Sequence, residues 1–125
     1  LKKARTGLYG AHTLRHVPHA LKRKYFSEQK GQFALHAEVK SRVKFMNLNL
    51  YDSARLKLVR GLDVVFCRNC LIYFDDKAKQ RIVADLQAAL KPNGYLVIGF
   101  SESLTNMSRL FRPLHAGRSV VYQKV

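Results

Sequence analysis

The sequence predicts an α/β fold, because two short apolar runs flank a segment with a helical pattern. Leu62 to Cys67 and Tyr95 to Phe100 contain β-branched residues and are typical of strands that are covered on both faces of a parallel sheet. Between them, Asp75 and Asp76 are suited to cap a helix. The apolar face of this helix recurs at helical spacing and consists of Ile82, Val83, Leu86, Ala89 and Leu90. Residues 62–100 are therefore predicted to form a right-handed strand–helix–strand unit.

The remaining elements are predicted from the spacing of apolar residues. Apolar side chains recur at roughly helical spacing between Leu14 and Phe26, so the first 30 residues are predicted to be helical with a turn. After Gly31 the period changes to two, and the alternation from Phe33 to Val39 predicts a half-buried strand in a small antiparallel ribbon. A second strand is predicted over residues 43–50. A final strand is predicted over residues 118–124.

Composition indicates one globular domain or a piece of one. The chain has 125 residues, of which 47% are apolar and 25% charged, and these proportions exclude disordered and fibrous classes. Its apolar runs fall far short of the ~20 residues of a bilayer crossing. No secretory leader opens the chain, and 2 cysteines are too few for a disulfide scaffold. We therefore expect no membrane insertion and a cytoplasmic, reduced location.

Net charge is the unusual property of the chain. The sequence has 23 Lys and Arg against 8 Asp and Glu, which gives a net charge of +15. Eight Lys and Arg against Glu28 alone give residues 1–30 a charge of +7. Nucleic acid, an anionic membrane face and an acidic protein would all be attracted to such a surface, so the charge names no partner by itself. The structural alternative is a solvated or self-docking basic face.

Candidate chemistry lies in the loops that follow the predicted strands. Ligands of open α/β sheets bind at the carboxyl ends of strands, here after Cys67, Phe100 and Leu50. The first of these loops supplies a guanidinium, a carboxamide and a phenol, those of Arg68, Asn69 and Tyr73. Neither a G-x-G-x-x-G loop nor a Walker loop is present, so a nucleotide would not be held in the usual way.

Several segments of the chain together carry a family pattern. They are Phe66-Cys67-Arg68-Asn69-Cys70-Leu71-Ile72-Tyr73-Phe74, Leu90-Lys91-Pro92-Asn93-Gly94, Gly99-Phe100-Ser101-Glu102-Ser103, Val43-Lys44-Phe45, Asn49-Leu50 and Ala4-Arg5-Thr6-Gly7-Leu8-Tyr9. This pattern resembles the C-terminal half of CheR-type methyltransferases and covers essentially the whole chain. The resemblance implies the C-terminal part of a Rossmann-like methyltransferase sheet with a small antiparallel β-subdomain at residues 25–42.

The resemblance also implies an activity and a set of site residues. Members use S-adenosylmethionine to esterify glutamates of chemoreceptors, so acidic glutamate-bearing receptor helices are the expected partners. By position in the motifs, Asn49 and Leu50 line the adenine pocket, and Arg68 and Asn69 lie beside the methionine end of the cofactor. Tyr73 lies near the transferred methyl group, and Arg68 and Tyr73 are the expected catalytic residues. The structural alternative for Asn49 is a turn residue at the end of a strand.

The same resemblance implies that part of the family's site lies upstream of this chain. The helical domain, the glycine-rich cofactor loop and the acid that binds the ribose would all precede Leu1. On this interpretation the 125 residues are a partial catalytic domain that is inactive by itself.

Three other sequence features have less specific interpretations. Cys67 and Cys70 form a C-x-x-C pair, but no second pair completes a zinc site, so a buried thiol is expected. His12, His16 and His19 lie at helical spacing without an obvious carboxylate, and no metal site is expected. The alternative function is a basic module that binds nucleic acid, although nucleic acid is not the expected partner.

Overall fold

The chain divides into two compact units, residues 1–47 and residues 48–125. A computed structural model describes residues 1–104, 106, 109–117 and 119–125. Arg118, the first residue of the predicted last strand, lies outside the described residues. None of the described helices combines the length and the hydropathy that a bilayer crossing requires.

The first unit is built around a three-stranded antiparallel sheet. Its elements are α1 (Lys2–Thr6), β1 (Leu8–Gly10), α2 (His19–Tyr25), β2 (Phe26–Gln29), β3 (Gln32–Leu35) and α3 (Ala37–Ser41). The strands are ordered β1-β3-β2, so β3 is central. Lys30 and Gly31 connect β2 to β3 with positive φ angles of 49° and 74°, the backbone that a two-residue hairpin turn requires.

Two predictions for the first unit were wrong about where helices lie. The predicted long helix is reduced to α2, because Pro18 sits at its N-cap and the residues before it form turns. Proline cannot donate the hydrogen bond that would continue a helix through this position. The predicted strand over residues 33–39 ends at Leu35, and α3 follows from Ala37. Ala, Glu and Lys are good helix formers, and here they outweigh a short alternating pattern.

The predicted strand over residues 43–50 does not form. Residues 44–49 have no regular secondary structure, and Val43, Phe45 and Met46 are exposed. A strand needs hydrogen-bonded neighbours, and the register of the described sheets pairs none of their strands with this segment.

The second unit is a mixed four-stranded sheet with one long helix against it. Its elements are α4 (Ser53–Leu56), β4 (Leu62–Cys67), a 3-10 helix (Leu71–Tyr73), α5 (Asp76–Ala89), β5 (Leu90–Ile98), β6 (Phe111–Ala116) and β7 (Ser119–Lys124). The strand order is β4-β5-β7-β6, in which β4 and β5 are parallel and the other pairs antiparallel. The predicted strand–helix–strand unit and the α/β class are thus confirmed.

The helix α5 holds the core of the second unit against the sheet. Asp75 caps it, since its side-chain Oδ1 accepts a hydrogen bond from the Ala78 amide at 2.7 Å. Ile82 and Val83 are fully buried in the same cluster as Leu96 of β5. Complete burial of such side chains stabilises the fold by about 1.5–3 kcal/mol each.

The strand β4 lies at an edge of the described sheet. It was expected to be covered on both faces, but Val64 and Phe66 are exposed by 44% and 73%. Cys67 and Val65 belong to or pack against the core cluster, whereas Val64 and Phe66 alternate to the opposite face of the strand, where they contact solvent.

Candidate functional site

The two parallel strands end at the same level of the sheet. Cys67, the last residue of β4, pairs with Ile98, the last residue of β5. The loops that follow both strands therefore begin side by side, at the edge where open α/β sheets bind ligands. Arg68 and Asn69 come from one loop, and Gly99 from the other.

Glu102 joins these two loops through its carboxylate. Its Oε2 accepts hydrogen bonds from the backbone amides of Gly99 at 2.6 Å and Asn69 at 2.9 Å. Its Oε1 accepts from the amides of Cys70 at 3.1 Å and Ile72 at 3.2 Å. One side chain thus satisfies four backbone donors from both loops, and hydrogen bonds to an ionised acceptor are the stronger kind.

The backbone conformation at Asn69 and the absence of a side chain at Gly99 allow the two loops to approach Glu102 closely. Asn69 has a φ of 54°, in the left-handed region that glycine and, among other residues, asparagine adopt most readily. Gly99 is buried, and a Cβ atom there would lie 2.7 Å from Glu102 Oε2 and 2.9 Å from the Asn69 amide nitrogen. Real Cβ contacts are not this short, so only glycine fits at position 99 without displacing the other loop.

Two groups at this edge have perturbed pKa values. Burial acts to raise the pKa of Glu102, but the backbone hydrogen bonds, first those from Gly99 and Asn69, hold it below its ordinary value of 4.5. Burial, and then the neighbouring Cys70 thiol and Glu102, raise the pKa of the Cys67 thiol to about 12. Glu102 is therefore ionised at neutral pH, whereas Cys67 is a protonated, unreactive thiol.

A cleft of about 400 Å³ opens beside the two loops that Glu102 joins. Its walls are largely apolar and include Phe66, Val97, Phe100, Val120 and Tyr122. Arg68 and Glu102 also line it, and Arg68 is exposed. Arg68 is the cationic side chain among the residues that line this cleft, and it can bind an incoming anion.

The segment with Asn49 and Leu50 belongs to the second unit and contacts Phe74, the residue that follows the 3-10 helix, through Tyr51. Leu50 packs against the core cluster, and the rings of Tyr51 and Phe74 are 5.1 Å apart. Asn49 is exposed, and its Oδ1 accepts a hydrogen bond from the Tyr51 amide at 2.9 Å. This bond is the turn role that the sequence offered as the alternative for Asn49, and it leaves the amide nitrogen of the side chain as a donor.

The structure brings some of the predicted site residues together and leaves others apart. Arg68 and Asn69 lie where the loops meet, whereas the Tyr73 side chain is 81% exposed at the end of the 3-10 helix. Sequence reasoning placed Glu102 in the right loop but gave it no role. The signal was available, because the ends of parallel strands coincide and a carboxylate that follows one strand can reach the amides that follow its neighbour.

The alternative metal interpretations gain no support from the described part of the chain. There, no group of three or more His, Cys, Asp or Glu side chains is placed to hold a metal ion. His12 and His16 lie within turns, and both imidazoles are hydrogen-bonded to Arg15, at 3.0 and 3.1 Å. The helical spacing assumed for them was therefore wrong.

Comparison with known proteins identifies the family. The family model described as "CheR methyltransferase, SAM binding domain" matches residues 1–120. Chemotaxis protein methyltransferase 2 of Vibrio cholerae is 34% identical over 125 residues, 99% of this chain and 43% of that protein. Chemotaxis protein methyltransferase 1 of Pseudomonas aeruginosa is 36% identical over 106 residues, 85% of this chain and 38% of that protein. The chain thus spans about two fifths of the length of these curated relatives.

A solved structure supports the fold assignment. An O-methyltransferase family protein from Burkholderia thailandensis matches with a TM-score of 0.50 at 18% identity, covering 70% of this chain and 37% of that one. At this identity the likeness concerns the fold, a methyltransferase sheet. Since the family model spans nearly the whole chain, the chain belongs to the CheR methyltransferase family, within the domain that binds S-adenosylmethionine.

Proposed function

We propose that this chain is part of an enzyme that transfers a methyl group from S-adenosylmethionine to glutamate carboxylates of chemoreceptors. The curated relatives that it matches are chemotaxis protein methyltransferases. They are more than twice as long, so we propose that the chain supplies the portion of the catalytic domain that follows the glycine-rich cofactor loop. Residues 25–42 would then be the small β-subdomain, and the location would be cytoplasmic.

One observation carries the proposal: Arg68 lies at the rim of an apolar cleft at the carboxyl ends of β4 and β5. The donor set at this edge fits S-adenosylmethionine, which has a carboxylate at one end and a purine at the other. A guanidinium can bind a carboxylate through two parallel hydrogen bonds. A carboxamide, such as that of Asn49, can pair with the edge of a purine.

We assign the proposed roles residue by residue. Arg68 and Asn69 would hold the methionine end of the cofactor, and Asn49 and Leu50 would line its adenine. Tyr73, exposed at the end of the 3-10 helix, would orient the receptor glutamate together with Arg68. These assignments follow the family motif, and the place of Arg68 and Asn69 in the loop after β4 supports those two.

The chemistry required of these side chains is modest. Bound S-adenosylmethionine supplies an electrophilic methyl group. A glutamate with a pKa of roughly 4.3 is ionised at neutral pH, so no side chain of this chain needs to remove a proton. The work left to Arg68 and Tyr73 is to align the attacking carboxylate and to exclude competing orientations.

Charge supports an acidic protein as the partner. Residues 1–47 carry eleven Lys and Arg against two Glu, a net +9. We propose that this basic unit attracts acidic, glutamate-bearing receptor helices. The attraction would act over distances of about 10 Å at 0.1 M salt, so the KM for receptor should rise with ionic strength.

The test is a methyl-ester assay with the intact protein, a receptor preparation and S-adenosylmethionine labelled in the methyl group. We expect base-labile label on receptor glutamates. Arg68→Ala should lower turnover strongly, whereas Arg112→Ala, an exposed arginine of β6 that does not line the cleft, should not. An intact protein that transfers no label to receptor, or an Arg68→Ala variant with the parental rate, would contradict the proposal. Binding to nucleic acid that falls steeply with salt would favour the alternative function.

A further inference from the structure

We infer that Glu102 is a positioning residue of the proposed cofactor site, holding Arg68 and Asn69 in place by gathering the backbone amides of both loops. The inference rests on the proposed function and deepens it. Glu102 would not touch the reacting atoms. It would act through the backbone of the residues that bind the cofactor.

The first support is that the two carboxylate oxygens of Glu102 accept hydrogen bonds from different pairs of amides. Oε2 bridges the two loops, from Gly99 after β5 to Asn69 after β4. Oε1 binds Cys70 and Ile72, and so fixes the turn that leads to the 3-10 helix.

The second support is the conformation of Asn69. Successive amides that point to one side, with one residue in a left-handed conformation, form a concave site that binds anions. Here Asn69 has a φ of 54°, and the anion in the concave site is the chain's own Glu102. Without a carboxylate at this place, the four amides would lose the acceptor that they share, and unsatisfied buried donors destabilise a fold.

The third support is that Glu102 already occupies the loop amides that an anionic ligand would otherwise bind. Loop amides after a parallel strand are the usual place to bind an anionic group, but Glu102 occupies them in this chain. A cofactor carboxylate is therefore left to Arg68, the neighbour of Asn69 and a wall of the cleft. Glu102 thus fixes the backbone of the loop that carries Arg68, and it leaves Arg68 as the group that binds the anion.

The test compares Glu102→Gln with Glu28→Gln in the intact protein, since Glu28 is an exposed glutamate on β2 of the first unit. In Glu102→Gln one oxygen becomes an NH₂ group that faces two amide donors, so two of the four bonds are lost. Calorimetry measures the Kd for S-adenosylhomocysteine, and kinetics measure kcat and the KM for receptor. We expect Glu102→Gln to raise this Kd about 10- to 100-fold and to leave the KM for receptor unchanged.

The possible outcomes distinguish the positioning role of Glu102 from the proposed function of the protein. Parental Kd values in Glu102→Gln would overturn the positioning role and leave the proposed function intact. A parent protein that does not bind S-adenosylhomocysteine would overturn the proposed function itself. If Glu102→Gln does not fold, amide hydrogen exchange in the unaltered protein decides instead. Protection at Asn69, Cys70, Ile72 and Gly99 without ligand supports the inference, and exchange there as fast as at exposed loop amides overturns it.

Discussion

Gly99→Ala adds a single methyl group and is expected to destabilise the fold, because the two loops approach each other closely at this residue. The added Cβ would lie 2.7 Å from Glu102 Oε2 and 2.9 Å from the Asn69 amide nitrogen. The second atom belongs to the backbone, so the loop after β4 must move as a whole. Overpacking of this kind costs about 1–3 kcal/mol. Weakening the 2.6 Å bond from the Gly99 amide to Glu102 adds to this cost, since hydrogen bonds to charged groups contribute about 1.5–3 kcal/mol.

One effect opposes this cost. Replacing glycine by alanine reduces the entropy of the unfolded chain, which stabilises the fold by about 0.4–1 kcal/mol where the backbone permits it. With overpacking near the middle of its range and the Gly99 hydrogen bond weakened but not lost, the expected net loss is about 2 kcal/mol in the free energy of unfolding. In a domain of this size that loss lowers Tm by roughly 8 °C.

The assay is urea and thermal unfolding followed by circular dichroism, with Gly10→Ala as the matched control. A Cβ at Gly10 meets no atom within 4 Å, so that variant should keep the parental stability within about 0.5 kcal/mol. A Gly99→Ala variant as stable as the control would refute the close approach of the two loops, and with it the clamp by Glu102.

Two further predictions concern the titratable groups at the same edge. Because the folded-state pKa of Glu102 is depressed, its carboxylate stabilises the fold above pH 4.5, and this contribution is lost as pH falls through the folded pKa. Urea unfolding between pH 3 and pH 6 should show a steeper loss in the parent than in Glu102→Gln, and identical slopes would contradict the prediction. Because the pKa of Cys67 is raised to about 12 and the thiol is buried, iodoacetamide at pH 8 should label the half-buried Cys70 and spare Cys67 until the chain unfolds. Equal labelling of both cysteines in the folded protein would show that the end of β4 is open.

The parts of the fold that sequence predicted best are those with strong periodicity. The helix α5 and the strands β4 and β5 followed from apolar runs and a helical face, and they are the elements that bury the core. The strand β6 was not predicted. It contains Pro113, which weakens any strand pattern, and it is tolerated because β6 lies at the edge of the sheet.

The errors lie where short patterns carry little information. A seven-residue alternation over residues 33–39 was divided between a strand and a helix, because the hairpin register ended at Leu35. The presence of Pro18 should have divided the N-terminal helix. Whether a short segment forms a strand or a helix depends on the elements that pack against it in space. The order of residues along the chain does not show which elements these are.

The candidate site shows the same limit. The loops that meet were predicted from the rule that parallel strands end at one edge, and the structure places Asn69 and Gly99 there. The bond that joins them comes from Glu102, which is 33 residues after Asn69 in the chain. Its role depends on the loop conformations, including the positive φ of Asn69, and no spacing rule predicts these.

The most direct test of the central claim is a crystal structure of the intact protein with S-adenosylhomocysteine. We predict that Arg68 and Asn69 contact the amino-acid end of this ligand at the carboxyl ends of β4 and β5, with Glu102 still bonded to the loop amides. A ligand bound at another place on the protein, without contact to Arg68 or Asn69, would contradict the account.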